Sequence, residues 1–253
     1  MAQGYSGQGK VYLGLRQSNG TPDLMRWIGN TSDFTIAQQE DVIARDESYS
    51  GNRSPFRRQV KKVGAEISFT TDEYSKENLA LAMRALTTVV AAGTAVTGYV
   101  LPSNAVVGSI FSIPARNVTA VTLKDSTGSP KTLTLGTNYT LNAKTGTIEL
   151  LDITAGGPFV QPFKVDYTPG AYTKLAGVST PQQEYYIKFD GINTDSGLTE
   201  VVEVFRVKIS VAKALKWILD DYQDFQFDAT ALLDTTKTAG GPDGQLYHVT
   251  PNL

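Results

Sequence analysis

The stretch from Glu40 to Leu86 decides how this chain is read. It opens with EDVIARDESYSGNRSPFRRQVKK (residues 40–62), which is polar almost throughout. Glu40–Glu47 carries four acids and one base, and Arg53–Lys62 carries five bases and no acid. At Val63 the pattern changes to period two. Val63, Ala65, Ile67 and Phe69 alternate with Gly64, Glu66, Ser68 and Thr70, which predicts a half-buried strand. At TTDEYSKENLALAMRAL (residues 70–86) the period becomes helical, with Leu79, Ala82, Met83 and Leu86 on one face. Thr70 with Glu73 predicts a capping box, and Asp72 and Glu73 suit the positive end of the helix dipole. The expectation is a charged loop, a strand and one amphipathic helix, with no second helix of that quality. A polar loop this long in a compact domain is usually functional or disordered.

Composition bounds the rest. The 253 residues allow one large β domain or two smaller ones. A net charge of −2 gives no global attraction to nucleic acid or acidic membranes. Without cysteine there are no disulfides and no thiolate metal sites. The first ten residues, MAQGYSGQGK, carry no apolar segment, so no secretory signal is expected. The uncharged run between Arg84 and Arg116 is long enough to span a bilayer, but its threonines, serines, glycines, Pro102 and Pro114 read as strands and turns.

Taken in order, residues 1–8 read as a flexible arm. Strands are expected at Lys10–Arg16, within Asp23–Gly29, and from Phe34. Residues 103–170 change character: short Thr-rich segments bounded by turn residues, with Asn142–Gly146 as a hairpin connection. They predict an inserted β subdomain, leaving 1–102 and 171–253 as a discontinuous main domain. Later, Tyr185, Ile187 and Phe189 alternate with polar neighbours, as do Phe205, Val207, Ile209 and Val211, and then Phe225, Phe227 and Ala229. The tail after Thr236 reads as a loop or arm.

Chemistry is sparse. His248 is the one histidine and lies in that tail, where a solvated residue is the better reading than a general base. Gly4, Gly7 and Gly9 lack the preceding strand that a phosphate loop needs. Asp220, Asp221, Asp224 and Asp228 read as a solvated face rather than a calcium site, because Phe225 and Phe227 set the alternation. The run Arg53, Arg57, Arg58, Lys61, Lys62 has only Phe56 as an aromatic and an acidic neighbour, which favours a protein contact over nucleic acid.

GQGKVYLGL, RWIGNTSDFTI, DESYSGNRSPFRR and FTTDEYSKENLALAMRAL resemble, in that order, the major tail (tail-tube) proteins of long-tailed bacteriophages. GTNYTLNAKTGTIEL, VDYT, EYYIKFDGIN and VVEVFRVKISVAKAL are similar to the remainder of such a protein, so the likeness covers nearly the whole chain. The resemblance implies two packed antiparallel sheets forming a barrel-like sandwich with one flanking helix, and the inserted β-hairpin subdomain on the outside. It implies a structural, non-enzymatic virion protein with no cofactor. Its partners would be copies of itself in stacked hexameric rings, the tape-measure, tail-tip and terminator proteins, and double-stranded DNA passing without specific binding or any membrane contact. Its place would be the virion tail, assembled in the host cytoplasm. On this reading Asp46, Glu47, Arg53, Phe56, Arg57 and Arg58 belong to an inter-ring contact loop, and Glu66, Ser68 and Thr70 face the lumen. The alternative is a secreted or surface carbohydrate-binding, adhesin-like β module, which the twelve tyrosines and two tryptophans would suit.

Overall fold

A computed structural model describes residues 4–251. In chain order it contains β1 (Gly7–Leu15), β2 (Arg26–Trp27), β3 (Thr31–Asp46), β4 (Pro55–Thr71), helix α1 (Lys76–Met83), β5 (Leu86–Val90), β6 (Val96–Val100), β7 (Ile110–Ser112) and β8 (Thr119–Lys124). There follow β9 (Tyr139–Asn142), β10 (Thr147–Leu150), β11 (Lys164–Thr168), β12 (Tyr172–Ala176), β13 (Tyr185–Asn193), β14 (Thr199–Ile209), β15 (Phe225–Ala231) and β16 (Tyr247–Pro251). The chain divides into two compact units, Met1–Leu86 with Ala176–Leu253, and Thr87–Leu175. The second unit therefore begins well before the expected residue 103. The cause is pairing: β6 ladders with β11, and Leu101 and Ala105 lie in the second unit's core.

The first unit is one antiparallel sheet in the order β2-β1-β13-β14-β15-β4-β3, with β16 also on β14. β14 makes the corner. Glu200–Val204 pairs with β16, whereas Val207–Ile209 pairs with β15, so the sheet forks along one strand. Alternation decides which side is buried: Phe205, Val207 and Ile209 on β14, Phe225, Phe227 and Ala229 on β15, and Ala65, Ile67 and Phe69 on β4 all point into one core. Phe69 and Phe227 are directly opposed in register and stack with centroids 4.9 Å apart. Phe34 of β3 stacks on Phe189 of β13 at 5.5 Å although three strands separate them in the sheet, so the sheet folds over into two layers. It does not close into a barrel. A groove of about 500 Å³, lined in part by Gly9, Val11, Phe34, Ile36, Val202 and Val249, stays open where β3 faces β1 and β16.

Strands β1 and β16 extend into segments whose sequence predicts an arm and a loop. β1 starts at Gly7 and ladders to β13 along its whole length. A Cβ on Gly9 would come within 2.3 Å of the Asp190 carbonyl oxygen, so glycine serves close strand approach here, not a phosphate loop. Of the arm expected at 1–8, residues 1–3 lie outside the described residues, Gly4 and Ser6 donate backbone N–H groups to Asp195 and Asn193, and Gly7 and Gln8 belong to β1. In the tail, the expected loop holds up to Leu246, but Tyr247–Pro251 form β16.

The helix is shorter than its sequence pattern. Ser75, not Thr70, is the N-cap and accepts from the Asn78 backbone N–H, because Thr70 and Thr71 are still within β4. Arg84 ends the helix in the left-handed region, and Leu86 is 53% exposed at the start of β5. Leu79 and Ala82 are buried as expected, and Met83 is half-buried. Asn78 is fully buried: its amide donates to the Ile28 and Glu73 carbonyls at 2.8 and 2.9 Å, and its oxygen accepts from Arg26 at 2.7 Å. Across the sheet, Arg16 grips buried Asp234 through two hydrogen bonds of 2.7 and 3.0 Å. Burial pushes the Asp234 carboxyl up, but Arg16 and Thr236 outweigh it and hold it at about 2.

The second unit has two three-stranded sheets, β7-β10-β9 and β6-β11-β8, and the pair β12-β5. Ile113, Leu123, Ile148, Leu150, Phe163 and Val165 form its core. Buried Asp125 closes the β8 turn by accepting from Thr127, Lys131 N–H and Val160 N–H.

Candidate assembly surface

The 40–62 segment is not a loop. Along β3 and β4 the ladder runs from Thr31↔Thr71 out to Asp46↔Pro55, leaving only residues 47–54 as a turn. Hydrophobic packing stops at Ala65; from Gln39↔Gly64 outward the hairpin is a two-stranded ribbon, exposed at nearly every position. Seven further residues on β3, matched by nine on β4 across two register shifts, give it a reach of roughly 23 Å before the turn at about 3.3 Å per β3 residue. The reason is register: Val42, Ile43, Val60 and Val63 have enough β character to propagate the ladder, and polar neighbours keep it soluble. Sequence polarity had suggested a loop because it reports burial, and a ribbon with both faces in solvent is polar whatever its backbone does.

Folding the segment as a hairpin also rearranges its charge. The acid-rich and base-rich parts lie side by side, with Asp41 opposite Lys62 and Glu40 ion-paired to Arg58 at 3.4 Å. At the distal end Arg45 is directly opposite Arg57, a like-charge pair that an isolated hairpin disfavours. Of the expected contact residues, Glu47 has another job. Its carboxylate accepts from Tyr49 N–H (2.9 Å), Ser50 N–H (2.8 Å) and the Ser50 hydroxyl, and these bonds, the Ser50 hydroxyl first, pull it below the usual carboxylate range. Glu47 therefore shapes the turn, helped by Gly51 at φ +85°. Arg53 sits in the same turn, and Asp46 faces Pro55 at the ladder's end. Phe56 (57% exposed) meets Tyr49 (79% exposed) edge-on at 6.4 Å, and the Arg57 guanidinium lies 5.4 Å from the Phe56 ring. Sequence reading had not singled out Tyr49; the turn brings it beside Phe56 across a gap of seven positions. Arg58 is committed in part to Glu40.

At the base of the ribbon, Glu66, Ser68 and Thr70 share the face opposite Ala65, Ile67 and Phe69. The ladders extend that face sideways: Thr70 faces Gln226, Ser68 faces Asp228 and Thr35, and Glu66 faces Thr230. Glu66 is exposed, and Ser68 and Thr70 are half-buried. Residues 211–224, without regular structure, pass over the Thr70–Gln226–Asp228 end, where Lys213 pairs with Asp228 at 2.7 Å. Of the acidic cluster, Asp228 lies on this polar face and the other three in the connection before β15. Among the described residues no group of three or more His, Asp or Glu side chains is placed to hold a metal.

β3 is the sheet's last strand: β4 occupies one of its edges, and among the described residues no strand occupies the other. A second exposed feature is the apolar run in 211–224, where Ile218 is 95% exposed and Trp217 and Tyr222 are also exposed. His248 is no frayed tail residue. It lies in β16 with Nε2 2.9 Å from the Glu203 carboxylate, and Glu203 also accepts from Tyr186 at 2.8 Å. No helix is long and apolar enough to cross a membrane among the described residues. No curated protein matches the chain. One family model does, over residues 4–250, and by that match the chain belongs to the family described as protein of unknown function UCP028589.

Proposed function

We propose that the protein is a structural subunit of a bacteriophage tail tube, in which six copies close into a ring and rings stack around a channel for the genome. The observation that carries this reading is the β3 edge. Sixteen residues of extended backbone present unpaired donors and acceptors, and the ribbon beyond Gln39 has no core of its own. Long open edges template pairing with another chain, and an isolated two-stranded ribbon is at best marginally stable in water. Closing the edge against a neighbouring copy satisfies both. Exposed Trp217, Ile218 and Tyr222 support the same reading, since apolar groups this exposed on one segment mark contact surfaces.

The polar face around Glu66, Ser68 and Thr70 suits a channel wall. It carries hydroxyls and carboxylates, and its nearest cations are engaged, Lys213 with Asp228 at 2.7 Å and Lys208, opposite Thr230, with Glu184 at 3.9 Å, so DNA phosphates would find little free positive charge to hold them. The ribbon suits contact between rings, with Arg53, Arg57 and Arg58 meeting an acidic surface of the next copy and Phe56 with Tyr49 as an apolar anchor. Tape-measure, tail-tip and terminator proteins are the further partners of this reading, and it assigns the chain a structural role in the virion tail. Sedimentation velocity of concentrated protein, with negative-stain electron microscopy of the fast fraction, tests it. Rings or hollow tubes of uniform width are expected; a monomer at every concentration and salt level would overturn it.

A further inference from the structure

The second unit carries a cationic cleft that the tube reading does not use. Arg116, Lys144 and Lys174, with Asn117, Tyr172 and Thr173, line a cleft of about 570 Å³ into which no carboxylate projects. Its walls are fixed by the backbone. The Asn117 N–H donates to the Lys144 carbonyl at 3.2 Å, the Gly170 N–H to the Arg116 carbonyl at 3.1 Å, and the Asn117 amide to the Ala171 carbonyl at 2.7 Å. Two glycines permit this approach: a Cβ on Gly146 would fall 2.4 Å from the Ala115 oxygen, and one on Gly170 2.3 Å from the Asn117 oxygen. Arg116 is oriented by two hydrogen bonds from Nη1, to the carbonyls of Ile113 (3.2 Å) and Ala115 (2.9 Å).

Charge in this unit is uneven for a physical reason. Residues 87–175 hold six basic and four acidic side chains, a net +2 in a chain whose total is −2. Three of the four acids are used by the fold: Asp125 and Asp152 accept from turn N–H groups, and Asp166 pairs with Lys124 at 2.7 Å. Lys131 caps the Pro158 carbonyl. Arg116, Lys144 and Lys174 make no ion pair among the described residues, and they converge on one concavity.

We propose that this cleft binds an acidic sugar, a single pyranose bearing a carboxylate or phosphate. The three cations hold the anionic group, which charge-assisted hydrogen bonds favour. Half-buried Tyr172 gives the lining one aromatic ring, suited to one sugar ring, and Asn117 and Thr173 give it polar groups for ring hydroxyls. Nucleic acid fits less well. A duplex presents charge along a track and rewards a line of cations, whereas these are gathered in one hollow; a single aromatic gives no platform for successive bases. The inference is independent of ring assembly, because every residue it uses lies in the second unit.

Titration calorimetry of the full chain with glucuronate, glucose 1-phosphate, neutral glucose, an oligogalacturonate and a short DNA duplex tests the proposal. Either acidic sugar should bind while glucose does not, and rising salt should weaken the binding. A tighter oligogalacturonate would point to a polysaccharide as the source, and equal affinity to a free sugar acid; both agree with the proposal. Removing one cation by Lys144→Gln or Lys174→Gln should weaken binding about tenfold, and combining both with Arg116→Gln should abolish it. Lys144 and Lys174 are exposed, so thermal melts of the single lysine variants should be unchanged, and these variants keep the test valid if the triple variant, which also loses the Arg116 bonds to the Ile113 and Ala115 carbonyls, is less stable. Binding that survives the triple change, binding of DNA but of neither acidic sugar, or binding of none of the probes would overturn it.

Discussion

Reversing the charge of the ribbon should separate folding from assembly. Consider Arg53→Glu, Arg57→Glu and Arg58→Glu together. All three side chains are exposed, and the only ion pair among them is Arg58–Glu40, at 3.4 Å with both partners more than half in solvent. Such pairs are worth about 0–1 kcal/mol. The change at position 57 also places a carboxylate opposite Arg45, relieving a like-charge pair. The monomer should therefore lose at most about 1 kcal/mol, a shift of roughly 2–4 °C in Tm. Between rings the same residues act in parallel. At about 0.5–1 kcal/mol for each subunit, six subunits supply about 3–6 kcal/mol per junction, or ~10²- to 10⁴-fold in association. Sedimentation velocity across a salt series, with electron microscopy of the pellet, reads the effect. Wild-type assembly should weaken as salt rises, and the triple variant should remain folded and fail to stack. Normal tubes from the triple variant would refute the ribbon as the contact between rings.

Three further outcomes are expected. Leu79→Ala should cost about 2–5 kcal/mol, whereas Leu86→Ala, half exposed, should be close to neutral; thermal melts of the two variants check the corrected helix end. Asp234 contributes stability that is present above its unfolded pKa near 4 and is lost as pH falls through about 2, because its folded pKa is depressed. Acid denaturation of Asp234→Asn should lack that component, and at neutral pH the variant should be less stable because Arg16 loses its buried partner. A cysteine introduced by Ser68→Cys should react with a bulky maleimide in the free subunit and, in assembled tubes, only near their ends; uniform labelling along intact tubes would move this face out of the channel.

Several features were legible in the residues alone. Period-two runs at Ala65–Phe69, Phe205–Ile209 and Phe225–Ala229 became β4, β14 and β15 with the expected faces buried. They were legible because one buried face imposes alternation locally. Val211, by contrast, lies exposed beyond β14, and the Tyr185–Phe189 run became β13 with Tyr186 and Ile187 buried and Tyr185 and Phe189 only half-buried, because its register shifts between Tyr185 and Ile187. Helix α1 was found, but its ends were misplaced. Thr70 and Glu73 have capping chemistry, and Leu86 falls on the helical period, but the β15 ladder holds Thr70 and Thr71 as strand while Arg84 turns the chain out. Glu47 was legible only as part of an acid-rich run; that its oxygens shape the 47–54 turn shows only once the turn is folded.

Local patterns were enough for a β-rich chain with one helix, for the inward faces of β14, β15 and the core half of β4, and for an inserted segment of different character, since each follows from a few neighbouring residues. Only the tertiary structure decided that 40–62 is a ribbon, that β14 forks to carry both β15 and β16, and that the sheet folds over without closing. It alone placed Arg116, Lys144 and Lys174 around one cleft and Asp234 on Arg16. Those features depend on which distant residues meet, and long-range pairing is set by the summed burial and hydrogen bonding of the whole sheet, which no local window contains.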